Sequence, residues 1–474
     1  MSDRALWPAE VAAAATNGRT GADWRASGVS IDSRSVGPGD LFVAIEGPNF
    51  DGHVFVAEAL AKGAAAAMVA RRPDGLEPGA PLLEVADTLA GLEALGRAAR
   101  QRCDARIVAV TGSVGKTGTK EALRMALARD GATHASEGNL NNHWGAPLSL
   151  ARMPADSRYG VFELGMSDAG EIEPLSRMVR PHVAIITNVE PVHLEFFASV
   201  AAIADAKAEI FLGLEPGGIA ILNHDNQHYT RLRQMAEAVG AARIISFGSH
   251  EAAAARLIGL AEHPTCNCIS ADIDGQAVTY KVGAPGRHWA INSLAVLAAV
   301  RAVGGDLGLA ALAMAEIAPA KGRGRRHLVE LPDGILQLID ESYNASPIAT
   351  RAAIEMLGAS QPGPGGRRIA VLGDMLELGD AAPDLHAGLA EHLQAARVDQ
   401  VFVCGANMKH LRAALPRHMR AAREEGAEEL LPRVLAAVRP GDVVLVKGSL
   451  GMAMAPIVEA LRHLGGNAAA AANG

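Results

Sequence analysis

A chain of 474 residues is too long for one ordinary hydrophobic core, and at about 150 residues per domain it implies roughly three. It is 49% hydrophobic and 20% charged, as soluble globular proteins are. The net charge of -8 argues against nucleic acid or an anionic membrane as the main partner, while leaving room for a local basic pocket for a small anion. The cysteines, Cys103, Cys266, Cys268 and Cys404, are scattered, and the C-x-C at 266–268 has no second pair or histidine set to complete a zinc site. Reduced thiols in a reducing compartment are expected. The first residues lack a basic segment followed by a long apolar one, and nowhere do 18 apolar residues run together, so no membrane insertion and a cytoplasmic location are expected.

In chain order, residues 1–100 alternate strand-like and helix-like pieces: "GDLFVAI" (39–45) reads as a buried strand, "HVFVAEALAKGAAAAMVA" (53–70) as a helix running into a strand, and "ADTLAGLEALGRAARQRC" as an amphipathic helix. A small α/β domain follows from this. Residues 101–318 open with the strand "RIVAVTG" and continue through "GVFELG" (160–165), "PHVAIITNV" (181–189) and "GGIAILNHD" (217–225), alternating with helical stretches such as "VAAIADAKAEIFLGL". That rhythm predicts a doubly wound, mostly parallel sheet with its ligand at the strand ends, closed by the helix "GRHWAINSLAVLAAVRAVGG" (286–305). After the basic, glycine-rich stretch 320–334 the βα rhythm resumes in "ILQLIDESYNASP", "RRIAVLGDMLELGD", "DQVFVCG" and "GDVVLVKGS", predicting a third, Rossmann-like α/β domain over 319–465. The tail 466–474 is low in complexity and expected to be disordered.

The chemistry centres on "VAVTGSVGKTGTKE" (108–121). A strand delivers the chain into Thr111, Gly112, Ser113, Val114 and Gly115; glycines let N–H groups turn toward an anion, and the next helix offers its positive N-terminus. Lys116 is placed to contact terminal phosphates and Thr117 to offer a hydroxyl to Mg²⁺. The bland alternative, a tight turn with a solvated lysine, leaves the glycines unexplained. Glu163 ends an apolar strand of the same sheet and suits a metal ligand, against a reading as a capping or solvated acid. His193 follows the next strand and reads equally as ligand or structural histidine. Lys207 is either a solvated helix lysine or a buried, neutral amine that adds CO₂ to give a carbamate ligand.

Taken together, "VTGSVGKTGTKE", "GNLNNHWGAPLSL", "FELGMSDAGEIEPLSRMVRPHVAIITNVEPVHLEFF", "AKAEIF", "IDESYNASPIATRAA", "VLGDMLELG" and "VLVKGSLGM", with "SIDSRSVGPGDLFVAIEGPNFDGHVFV" at the front, resemble the Mur ligase family in order and over nearly the whole chain. The spelling is most similar to members that join D-alanyl-D-alanine to UDP-N-acetylmuramoyl-tripeptide with ATP and Mg²⁺, a step of peptidoglycan precursor synthesis. T-G-x-x-G-K-T is that family's form of the loop. The resemblance implies that Lys116 and Thr117 bind ATP phosphates and Mg²⁺, that Glu163 and His193 hold metal, and that Lys207 matches a lysine carbamylated in sister enzymes. It places Asn292, Arg326 (with Arg323 as fallback), Glu341 and Tyr343 at the nucleotide; Glu341 stands where relatives often have Asp. Asn344 and Ser346 share that loop. Asn139, Asn141 and Asn142 face substrate or nucleotide in this reading, against a turn-capping role.

In the front domain, Ser33, Arg34, Asn49, Asp51, Gly52 and His53 resemble the uridine-nucleotide site, where Arg34 would bond a diphosphate. The implied enzyme acts as a monomer whose third domain closes on the second about a hinge near 318. The rivals are a sister ligase adding a diamino acid to the dipeptide precursor, for which no D-N-P-R is present; a tetrahydrofolate polyglutamate ligase, which lacks such a front domain; and a nucleotide-regulated binding module without ligase activity.

Overall fold

The computed structural model describes residues 5–47, 50–192, 194–263 and 265–464. His193, Asn49 and the tail 466–474 therefore lie outside the described residues. Three larger sheets follow one another along the chain.

The front sheet runs Arg19–Thr20, Leu82–Glu84, Ala66–Val69, Asp40–Val43, Gly28–Ser30, with all but the first strand parallel. Its core gathers around Trp7, Leu41, Val43 and Met68. The helix Thr88–Gln101 begins where Asp87 accepts from Ala90 N, and its buried Leu92, Leu95 and Ala99 recur at helical spacing. The Trp7 indole donates to Ala151 O at 2.8 Å and Arg152 Nε donates to Val29 O at 2.7 Å, tying this sheet to the central one.

The central sheet has nine strands. Thr133–Ala135, Tyr159–Glu163, Arg106–Thr111, Val183–Ile186, Ile219–Asn223, Arg243–Gly248 and the start of Ala255–Glu262 pair in parallel, with helices packed on both faces around two cores. This is the predicted doubly wound arrangement, and all strand ends that follow Arg106–Thr111 in the parallel set open on the same edge. An antiparallel meander, Ala255–Glu262, Asn267–Ile273 and Gln276–Val282, extends it and was not foreseen. Its signal was present: Asn267–Ile273 alternates buried and outward residues, and the turn Asp274-Gly275, with φ of 56° and 86°, has the left-handed pair of a two-residue hairpin. All four cysteines are free, with Cys268 in the middle strand of this meander and Cys266 just before it.

The third sheet runs Arg325–Leu331, Gly334–Glu341, Val443–Lys447, Arg368–Gly373, Gln400–Cys404, Arg420–Glu424, parallel except for the first hairpin. It meets the central unit where Glu195 N donates to Glu377 O at 3.4 Å. Among the described residues, no helix is long and apolar enough to cross a membrane.

Candidate active site

The loop sits between the strand Arg106–Thr111 and the helix Lys116–Ala128. Gly112 and Gly115 have φ of 150° and 85°; a β-carbon on the first would lie 2.0 Å from Thr187 Oγ1, and on the second 2.6 Å from Asn292 Nδ2. Only glycine fits either place, and Asn292 is thereby shown to pack on the loop. Ser113 donates from its amide to Asn188 O at 2.8 Å, while its hydroxyl accepts from Glu190 N at 2.9 Å. The Thr187 hydroxyl donates to Val114 O at 2.6 Å. The loop is thus clamped to the end of the neighbouring strand. Lys116 folds back to donate to Gly112 O at 2.7 Å, and Thr117 lies half-buried in the first helical turn. Burial pushes the Lys116 ammonium down from the ordinary lysine range, Glu163 opposes that, and Arg323 of the third unit adds to it. Three separated segments therefore share one electrostatic site.

Glu163 lies opposite Val110 in the parallel ladder and is only 2% exposed. Its Oε1 accepts from Asn141 Nδ2 at 2.8 Å, and its main-chain N–H donates to Ser136 Oγ at 3.0 Å. Among the described residues its Oε2 is buried without a hydrogen-bond partner, as is the Thr111 hydroxyl. An ionised carboxylate with one oxygen left bare costs free energy unless a cation or donor arrives, so this oxygen and the Thr117 hydroxyl fit a hard divalent ion. The buried Lys120 donates to Ser136 O at 2.8 Å and Gly138 O at 3.2 Å, carrying the fixation of Glu163 back to the loop's own helix. Lys120 and Ser136 were not singled out from the sequence.

Lys207 lies in the last turn of the helix Val200–Ala208 and is 2% exposed. Among the described residues its ammonium has no hydrogen bond or ion pair, and burial, with Lys116 nearby, holds its pKa well below the ordinary lysine range. A solvated helix lysine is ruled out by that burial. The asparagines separate: Asn141 holds Glu163, Asn142 Oδ1 caps the helix Gly145–Ala151 by accepting from Trp144 N and Gly145 N, and Asn139 is exposed.

From the third unit, Arg323 lies between Gly322 and Gly324, whose φ are 75° and 92°, and its guanidinium stacks 4.2 Å over the Tyr343 ring. Arg326, by contrast, is in the ladder opposite Ile339, with Nε buried and unpartnered. Of the two, Arg323 is the one whose charge reaches Lys116. Glu341 Oε2 accepts from the buried Lys447 at 3.0 Å, and Lys447 also donates to Asn344 O at 3.0 Å. Both charges are felt by His288 of the central unit, whose pKa is lowered chiefly by burial. Ser346 caps the helix Pro347–Ala359. Lys447 was quoted within a motif but given no role.

In the front unit, Arg34 is 88% exposed and chelated by Asp32, Nε to Oδ1 at 3.0 Å and Nη2 to Oδ2 at 2.7 Å. The carbonyl of Ser33 accepts from Lys62 Nζ at 2.7 Å. His53 uses both ring nitrogens internally: Nδ1 meets Asp51 Oδ1 at 2.7 Å and Nε2 accepts from Ala70 N at 2.9 Å. It is therefore the neutral tautomer that orients Asp51, which also pairs with Arg71. Gly52 is packed so that a β-carbon would meet Ile45 O at 2.7 Å.

A clamped anion loop facing a carboxylate with an open oxygen belongs to enzymes that handle nucleotide phosphates. The chain belongs to the Mur ligase family. Residues 25–103 match the description "Mur ligase family, catalytic domain", 110–300 "Mur ligase middle domain", and 324–450 "Mur ligase, glutamate ligase domain". It is similar to the UDP-N-acetylmuramoyl-tripeptide--D-alanyl-D-alanine ligases of Rickettsia prowazekii, 33% identical over 91% of this chain and 94% of that one, and of Escherichia coli, 35% identical over 94% and 96%. Among solved structures it resembles MurF from Acinetobacter baumannii, with a TM-score of 0.84 at 29% identity over 97% of this chain and 100% of that one. It also resembles the MurF ligase of Thermotoga maritima solved with ADP, with a TM-score of 0.75 at 28% identity over 92% and 97%.

Proposed function

We propose that this chain joins D-alanyl-D-alanine to UDP-N-acetylmuramoyl-tripeptide at the expense of ATP, in the cytoplasm and as a monomer. The observation that carries the reading is the convergence of Lys116 with a Glu163 oxygen and a Lys207 amine that are unpaired among the described residues, in a chain whose relatives bear that ligase's name along nearly their full length. The chain divides into a UDP-sugar domain over 1–100, an ATP-binding domain over 101–318 and a ligase domain over 319–465.

The tripeptide's terminal carboxylate attacks the γ-phosphate of ATP, giving an acyl phosphate and ADP. The amino group of D-alanyl-D-alanine then attacks the acyl carbon, expels phosphate and loses a proton to form the amide. The first step brings two anions together, so the protein acts by positioning and charge. Lys116 leaves the Gly112 carbonyl to meet the phosphates, and Arg323, stacked on Tyr343, adds a second cation from the other side. Arg323 replaces Arg326 as the residue assigned to ATP on this geometry. Asn141 and the Ser136 hydroxyl keep the free oxygen of Glu163 in place. Thr117 and Glu163 would hold Mg²⁺, which when bound neutralises phosphate charge; His193 joins that set by resemblance. The neutral amine of Lys207 is the form that adds CO₂ with loss of a proton, and the resulting carbamate would add oxygen donors. Closure of the third domain excludes water from the acyl phosphate.

Phosphate release from ATP, measured with UDP-tripeptide and each acceptor in turn, tests the reading. D-alanyl-D-alanine is expected to be the preferred acceptor. Preference for lysine or diaminopimelate with the dipeptide precursor would give the reaction to the sister enzyme, to which the likeness is one of fold alone, at a TM-score of 0.50 and 17% identity. No release with any acceptor would leave a binding module.

A further inference from the structure

The free edge of the third sheet carries a second concentration of positive charge. Between Lys409 and Arg423 there are five cations, Lys409, Arg412, Arg417, Arg420 and Arg423, and no acid, in a chain of net charge -8. The segment folds as the helix Met408–Ala414 and the strand Arg420–Glu424. That strand is last in the sheet order, separated from Gly334–Glu341 and its nucleotide-side residues by three strands. Lys409, Arg412, Arg420 and Arg423, with Ala413, line a hollow of about 390 Å³.

Surfaces ordinarily intersperse the two signs, because like charges brought together repel. Here, among the described residues, Lys409, Arg412 and Arg420 are held close with no acid paired to them. Arg412 Nη1 donates to Ala421 O at 2.8 Å; Arg420 donates to Leu415 O at 2.9 Å from Nε and to Ala413 O at 3.0 Å from Nη2. These acceptors are main-chain carbonyls, which fix the guanidiniums while leaving their charge and remaining N–H groups for a ligand. Arg423 has a single ion pair, from Nη2 to Glu425 Oε1 at 3.0 Å, and its Nε is buried with no partner. Guanidiniums already ordered in this way favour planar, bidentate recognition of phosphate oxygens.

We propose that this hollow is an anion site for a ligand bearing two or more phosphoryl groups, distinct from the nucleotide crevice. A single phosphate brings about two negative charges, so four cations match more than one. The ligand is a free polyphosphate chain or clustered phospholipid headgroups, which present the same chemistry.

The test titrates inorganic tripolyphosphate into the full chain calorimetrically, in a Lys116→Ala background so that the catalytic loop contributes little. The parent is expected to bind, and Arg412→Ala with Arg420→Ala to weaken binding at least tenfold. Because those side chains also bond the main chain, Lys409→Glu, at an exposed position, serves as a second variant and is expected to weaken binding severalfold. In the otherwise native chain neither variant changes the ligation rate, so the result stands apart from the proposed reaction. Co-sedimentation with phosphatidylcholine vesicles containing phosphatidylglycerol separates the sources. Sedimentation that the substitutions abolish and tripolyphosphate competes assigns headgroups, and tripolyphosphate binding without sedimentation assigns a free anion. Absence of tripolyphosphate binding to the parent, or equal binding by parent and variants, overturns the proposal.

Discussion

The crevice of the central sheet and the pocket of the front sheet both gather charged residues, and they manage them in opposite ways. In the crevice, among the described residues, Glu163 Oε2 and the Thr111 hydroxyl are buried without hydrogen-bond partners and Lys207 is unpaired as well. In the front pocket the charges described are already partnered: Arg34 with Asp32, Asp51 with His53 and Arg71. Groups left unpaired in low dielectric destabilise the empty protein and are pre-arranged for incoming ions. Paired groups must exchange one partner for another, which yields specificity with little net gain. The difference teaches that loss of a crevice residue should strike turnover, whereas loss of a front residue should strike substrate affinity.

The sharpest break in this contrast is Lys116→Ala, expected to lower ligation by at least about 10³-fold while binding of the UDP substrate survives. Near-normal turnover would remove the loop from the mechanism. Next is Glu163→Gln, which keeps the acceptor for Asn141 but discards the charge; kcat should fall by about 10²-fold or more, with thermal stability unchanged or raised because a buried charge has gone. Lys207→Met should lower activity and raise stability in a pH-dependent way. The unfolded chain keeps its lysine protonated up to about pH 10.4, while the folded pKa lies well below that. Between the two the unfolded state binds the extra proton and burial is destabilising, so the gain in Tm is fully present below the folded pKa and shrinks as pH rises toward the unfolded value. A gain independent of pH would mean that the native amine is charged.

What the sequence could reveal follows the same division. The loop, the helix after it and the acid at the end of "GVFELG" were legible because each depends on local order: strand, glycines, strand end. The βα alternation likewise disclosed three α/β units. The contacts that complete the site were not legible, since Ser136 and Asn141 meet Glu163, and Lys120 meets Ser136, only after a helix, a turn and two strands have packed together. The resemblance left Arg326 and Arg323 as alternatives, and the sequence could not show that Arg326 lies in the ladder opposite Ile339, two residues from Glu341, while left-handed glycines flank Arg323 outside it. The resemblance puts His53 in the uridine-nucleotide site, but the partners of its two ring nitrogens, Asp51 and the Ala70 main chain, could not be assigned before its neighbours were known.

The front pocket offers the smaller tests. Arg34→Ala should raise the KM for the UDP substrate about tenfold with kcat preserved. Asp32→Asn should act in the opposite direction. The amide oxygen can still accept from the Arg34 main-chain N–H, now 2.9 Å from Asp32 Oδ1, so the local turn is kept. The carboxylate that competes with a diphosphate for the guanidinium is removed, and the pair is exposed, so the competition is weak. A fall in KM of about two- to fivefold is therefore expected, largest at low ionic strength and fading as salt screens the interaction. Glu163 Oε2 and Lys207 offer no substitution of this sign, because among the described residues they have no internal rival to take away. A KM that rises on Asp32→Asn would show instead that Asp32 orients Arg34 for the substrate, and the contrast between a paired front pocket and an unpaired crevice would lose its functional meaning.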